Sequence, residues 1–183
     1  MDESSDGASS PFGADAQWVA DRSGLTAQEA EAFMSDQNQF GHIVGELRRM
    51  YPERLAHAQV LYEPPSFEVR FVGQVPSGVS DLFVGLSFPM GLFGGAKDSE
   101  ASLDARQDRI SSLLQVEGVN NYSAATDTER GVVLVVLPEG FVASSRTLQT
   151  LLSDPSVEVT TTREPVLQWD QANPLGDGRS AAP

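Results

Sequence analysis

Ala30, Phe33, Gln37, Phe40, Val44, Leu47 and Tyr51 recur at alternating steps of three and four, the period of one helical face. Just before them, Thr26-Ala27-Gln28-Glu29 has the Thr-x-x-Glu spacing of a capping box, so a helix is expected to start there. Pro52 stops it, and Arg48 and Arg49 suit its negative C-terminal end. Gly41 and Gly45 cost roughly 1 kcal/mol each against Ala in an exposed helix. Either they admit another backbone or they are simply tolerated. Gln37 either bonds a backbone carbonyl of the segment that follows or sits at the edge of the apolar face.

The period then changes from helical to alternating. Phe67, Val69 and Phe71 alternate with Glu68 and Arg70, a strand with one buried face. With His57–Tyr62 and the intervening Pro64-Pro65-Ser66 it predicts a hairpin, closed at Pro76-Ser77-Gly78. A short helical piece is expected around Ser80–Phe83 and a strand near Val84–Phe88. Residues 89–98, with Gly91, Gly94 and Gly95, read as a connecting loop.

A second helix runs from Ser99 or Ser102 to Val116, with Leu103, Arg106, Ile110, Leu113 and Leu114 on one side and Gly118 as its C-cap. A second hairpin follows, Tyr122–Ala125 and Val132–Leu137 about a polar turn. Its second strand is apolar on both faces and is expected to be the most buried of its half. Residues 144–152 predict a short helix and Val157–Thr162 a last strand.

Helix, hairpin, short helix and strand thus occur twice. The stops at Pro76 and Pro138 lie 62 residues apart, and the strand starts at Phe67 and Val132 lie 65 apart. The expected fold is α+β, two small subdomains of similar plan, each with helices on one face of a small antiparallel-rich sheet. The expected divisions are a disordered acidic lead-in (1–15), an N-terminal subdomain (16–90), a Gly-rich linker (91–98), a C-terminal subdomain (99–165) and a tail (166–183).

Charge narrows the function. The 183 residues carry 26 acidic and 12 basic side chains, a net charge of -14. Eight of the acids and one arginine fall within residues 1–36, read as a solvated tail and helix face. Nucleic-acid binding needs clustered Lys and Arg and is not expected. No run approaches the ~18 apolar residues that would span a bilayer. Without cysteine there is no disulfide, thiolate metal site or cysteine nucleophile. His42 and His57 have no triad or metal-ligand spacing, so no catalytic residue, cofactor or metal site is assigned. The opening Met1-Asp2-Glu3-Ser4-Ser5-Asp6-Gly7 is the opposite of a signal peptide. Either the protein is cytosolic, or the chain is a processed or recloned form.

Gly24-Leu25-Thr26, Glu29-Ala30, Gln37, Leu47, Pro52 and Leu55, followed by the Tyr62–Val72 hairpin, resemble the pro-region of secreted bacterial chymotrypsin-like proteases, of the α-lytic protease and streptogrisin precursor type. The resemblance covers roughly residues 18–165 and rests on the order of elements. It implies a secreted, non-catalytic module, a folding helper and inhibitor of a chymotrypsin-like serine protease attached in cis or met in trans. It further implies that the C-terminal sheet adds to a hairpin of the protease while the tail enters the active-site cleft. The expected contact residues are Val157, Glu158, Val159, Thr160, Thr161 and Thr162 in the strand, and Leu167 and Trp169 in the tail. Gly176-Asp177-Gly178-Arg179-Ser180 is not the Gly-Asp-Ser-Gly nucleophile motif of those enzymes. The alternative is a stand-alone extracellular interaction or scaffold domain with no protease partner.

Overall fold

The capping box closes as its spacing requires. In the computed structural model, which describes residues 13–164, the Glu29 amide donates to Thr26 Oγ1 at 3.3 Å and the Thr26 amide to Glu29 Oε2 at 2.8 Å. Such a cap is worth about 1 kcal/mol. It opens a helix over Ala27–Met50, preceded by a shorter one over Gly13–Ser23; these are α2 and α1. Residues 13–15, assigned above to a disordered lead-in, are the first turn of α1. Its small residues Ala16, Val19 and Ala20 are buried, which lets a short polar helix pack on α2. Residues 1–12 lie outside the described residues.

The buried face of α2 comprises Ala30, Phe33, Asp36, Phe40, Ile43, Val44 and Leu47. Asp36 lies within it, and Gln37 stands at its edge, donating to Tyr62 Oη at 3.2 Å rather than to a carbonyl. A Cβ at Gly41 or Gly45 would meet nothing within 4 Å, so these glycines are tolerated and do not admit a close neighbour.

The chain divides into two compact units. Among the described residues the first comprises 13–104 together with the turn Thr128–Gly131. It contains β1 (Leu55–Tyr62), β2 (Pro65–Val72) and β3 (Met90–Ala96) in the order β1-β2-β3. β1 and β2 form the expected antiparallel hairpin, and β2 pairs with β3 in parallel. A 3-10 turn over Val79–Phe83 lies on the crossover between β2 and β3. The core is largely aromatic, with Phe33 stacked on Phe67 at 5.3 Å and Phe40 on Phe67 at 4.8 Å.

Two expectations are corrected in this unit. Val84–Phe88 is not a strand, because its amides turn away to other partners. Residues 89–98, read as a connecting loop with a Gly-rich linker over 91–98, contain β3. Gly94 lies there because the Gly73 carbonyl oxygen would stand 2.4 Å from any Cβ it carried. Gly95 has a φ of +89° and donates its amide to that same carbonyl.

Among the described residues the second unit takes 105–127 and 132–164. The helix α3 (Glu100–Val116) crosses the boundary between the units. Within the unit lie β4 (Ser123–Asp127), β5 (Val132–Pro138), α4 (Arg146–Leu152) and β6 (Val157–Thr162). The sheet order is β4-β5-β6, antiparallel between the first pair and parallel between the second. Both sheets are therefore mixed rather than antiparallel-rich, since each closes with a crossover strand. Its core is aliphatic: Ile110, Leu114, Val133, Val135, Leu137 and Leu148 are buried. Only one face of β5 is buried, with Val132, Leu134 and Val136 half-exposed on the other.

The fold is thus α+β, and the helix–hairpin–helix–strand order recurs. β2 and β5 open at Pro65 and Val132, and β3 and β6 at Met90 and Val157, both 67 residues apart.

Candidate interaction edge

β6 borders its sheet, paired with β5 alone among the described strands. The Val133 amide donates to the Ser156 carbonyl and the Glu139 amide to the Thr162 carbonyl. In a parallel ladder such bonds come from every second residue. The backbone groups of Ser156, Glu158, Thr160 and Thr162 therefore face β5, and those of Val157, Val159 and Thr161 point outward. The Val157 amide is taken by the Asp154 carbonyl at 2.9 Å, a tie that fixes where the strand begins. Val159 and Thr161 present amide and carbonyl to the open side, the template an added strand uses.

The side chains give this edge a second property. Val133, Val135 and Leu137 pair with Val157, Val159 and Thr161 and share their face of the sheet. The three on β5 are 0%, 1% and 3% exposed. Their partners run from buried Val157 to Val159 at 40% exposure, and Thr161 is exposed too. In the first unit, by contrast, Phe67 and Val69 pair with Met90 and Leu92, and those two pack against the core. In the first unit this row is half-buried at Met90 and Leu92, whereas in the second it is exposed at Val159 and Thr161. Glu158 and Thr160, on the opposite face, add polar character. Glu139, just beyond β5, pairs with Arg163 just beyond β6.

The loop before α4 is held electrostatically. Glu117 accepts from the Ser144 amide at 2.8 Å and the Ser145 amide at 2.9 Å. These bonds pull its carboxyl from an ordinary 4.5 down to about 2. Ser145 in turn caps α4 by accepting from the Leu148 amide. Asp154, ahead of β6, is also lowered, chiefly by bonds from the Ser156 hydroxyl and amide.

The six strand residues expected at a partner contact, Val157–Thr162, thus lie together on one edge, whereas Leu167 and Trp169 fall outside the described residues. Trp18 is 54% exposed and meets Tyr62 edge-on, with the Arg22 guanidinium over both rings. His42 is exposed on α2. His57 Nδ1 lies 2.8 Å from Thr128 Oγ1 in a cavity of about 340 Å³ within the first unit. Its buried Nε2 has no hydrogen-bond partner among the described residues, and the group that holds Nδ1 is a threonine hydroxyl, where a triad has a carboxylate. No group of three or more potential His, Asp or Glu metal ligands occurs among the described residues. No helix among them is long and apolar enough to cross a membrane.

No family model matches the chain, and no curated protein matches it.

Proposed function

We propose that this chain is a non-catalytic, pro-region-like module. It binds a secreted bacterial chymotrypsin-like serine protease by strand addition at β6, as folding helper and inhibitor. One observation carries the reading: β6 is an edge strand whose core-facing row is left bare at Val159 and Thr161, while Met90 and Leu92 in the matching row of β3 pack against their core. An added strand would satisfy the outward amides and carbonyls and bury Val159. Glu158 and Thr160 on the other face would contribute selectivity through the side chains opposite them. The order of elements, twice helix, hairpin, helix and strand, supports the same class.

The test is inhibition and assisted refolding across a panel of streptogrisin-like proteases. The full chain is compared with one ending at Glu164 and with Val159→Pro. The proline removes an outward amide without removing a bond to β5. The full chain should inhibit, the shortened chain should inhibit less, and Val159→Pro should abolish binding while its circular dichroism stays unchanged. If neither the full nor the shortened chain inhibits or aids refolding of any protease, this reading fails and the stand-alone scaffold reading replaces it.

A further inference from the structure

Arginines in a chain with 26 acidic side chains should find carboxylates readily, and almost all of those among the described residues are engaged. Among the described residues, Arg48, Arg49, Arg70 and Arg163 pair with glutamates, and Arg54 donates to the Gln74 carbonyl. Arg22 lies over Trp18 and Tyr62, and Arg106 and Arg130 are also engaged. Two guanidinium groups remain, those of Arg109 on α3 and Arg146 on α4. Neither has a hydrogen bond, ion pair or ring contact within the described residues. The same two line one open cleft of about 360 Å³ in the second unit, together with Thr147, Thr150 and Leu151.

Two like charges in one cleft repel each other, and an acidic protein offers many ways to avoid that arrangement. The cleft also has a hydroxyl to offer. Thr150 Oγ1 already donates to the Arg146 carbonyl at 2.9 Å, but the Thr147 hydroxyl is not committed within the described residues. Guanidinium forks match the oxygens of phosphate two at a time, and a tetrahedral dianion has enough oxygens for two forks and a hydroxyl.

We infer that the cleft between Arg109 and Arg146 binds a phosphate group, either as the free ion or as a phosphate monoester. The net charge of -14 opposes any anion, so the affinity is modest, on the order of millimolar. The site is independent of the β6 edge and does not rest on the protease reading.

The experiment titrates the full chain with inorganic phosphate and, separately, with O-phosphoserine, at constant ionic strength set with chloride. The arginine Nε–H resonances are followed by NMR. Those of Arg109 and Arg146 should shift and saturate. Arg109→Gln and Arg146→Gln, both at exposed positions, should each weaken binding about ten-fold. Tighter binding of O-phosphoserine supports the site with a phosphoester as occupant, and tighter binding of inorganic phosphate supports it with the free ion. No saturation below about 100 mM overturns the inference. So does an affinity unchanged in the double variant. Saturation only after Asp170→Asn and Asp177→Asn would also overturn it, because the cleft would then belong to the chain's own carboxylates.

Discussion

Asp36 is a carboxylate on the buried face of α2, 6% exposed among Phe33, Phe40 and Ile43. Its Oδ2 accepts from the Ser87 amide at 2.6 Å and the Phe88 amide at 3.1 Å. Those two residues lead into β3, and Phe88 meets Phe33 edge-on at 4.9 Å. One oxygen thus holds the crossover against the helix. Asp36→Ala would delete two bonds to a charged acceptor, each worth about 1.5–3 kcal/mol. Ser87 is exposed and water can replace its partner, whereas Phe88 is half-buried and its amide would be left wanting. The net expectation is a loss of about 2–4 kcal/mol. Asp36→Asn keeps one acceptor oxygen without the charge and should lose about half as much. Urea unfolding followed by circular dichroism measures the totals. Hydrogen exchange at the Ser87 and Phe88 amides shows whether the loss is local. If Asp36→Ala costs less than about 0.5 kcal/mol, or if Ala and Asn cost the same, the carboxylate is not what holds the crossover.

Two further expectations concern glycine and pH. Gly41→Ala places a methyl group in open space on α2 and should stabilise by about 0.5–1 kcal/mol, whereas Gly94→Ala drives one against the Gly73 carbonyl and should destabilise by about 1–3 kcal/mol. Shifts of the same sign in thermal denaturation would contradict this contrast. Glu117, lowered from 4.5 to about 2, binds its proton more readily when unfolded, so its contribution is complete above about 4.5 and fades as pH falls toward about 2. The stability gap between the natural chain and Glu117→Gln should therefore close over that interval, and a gap that stays constant would show that the two amides do not hold the carboxylate.

The parts of the fold legible from the chain were those encoded locally. The Thr26–Glu29 box, the three-four stepping of α2 and the Phe67-Val69-Phe71 alternation each need only neighbours a few residues away, and each appears in place. The parts not legible there depend on distant partners. β3 looked like a loop because glycine is a poor strand former, yet Gly94 answers to a carbonyl 21 residues back in the chain. Parallel pairing leaves no turn signal nearby, so the apolar run Val84–Phe88 looks like the third strand although the strand begins at Met90. Asp36 is not marked by the pattern, because stepping by three or four admits either Asp36 or Gln37 to the buried face. Only amides 51 and 52 residues away make the carboxylate tolerable there.

The candidate edge divides in the same way. The bounds of β6 follow from Asp154-Pro155 and the Val-Glu-Val alternation, and the strand runs over the residues expected. Its bareness could not be read from the chain, because Val157, Val159 and Thr161 alternate as regularly as a covered row does. Cover comes from packed neighbours, and the duplicated plan supplies the standard for judging it. In the first unit, residues as large as Met90 and Leu92 close the row over an aromatic core. In the second, the row passes from buried Val157 to exposed Val159 and then to an exposed threonine. A strand meant only to close a sheet would be expected to keep its apolar row to the end. One meant to receive another strand needs open amides, one apolar contact and enough polarity to stay soluble before the partner arrives. β6 has all three, and a residue such as lysine or proline, which would blunt the edge, is missing from it.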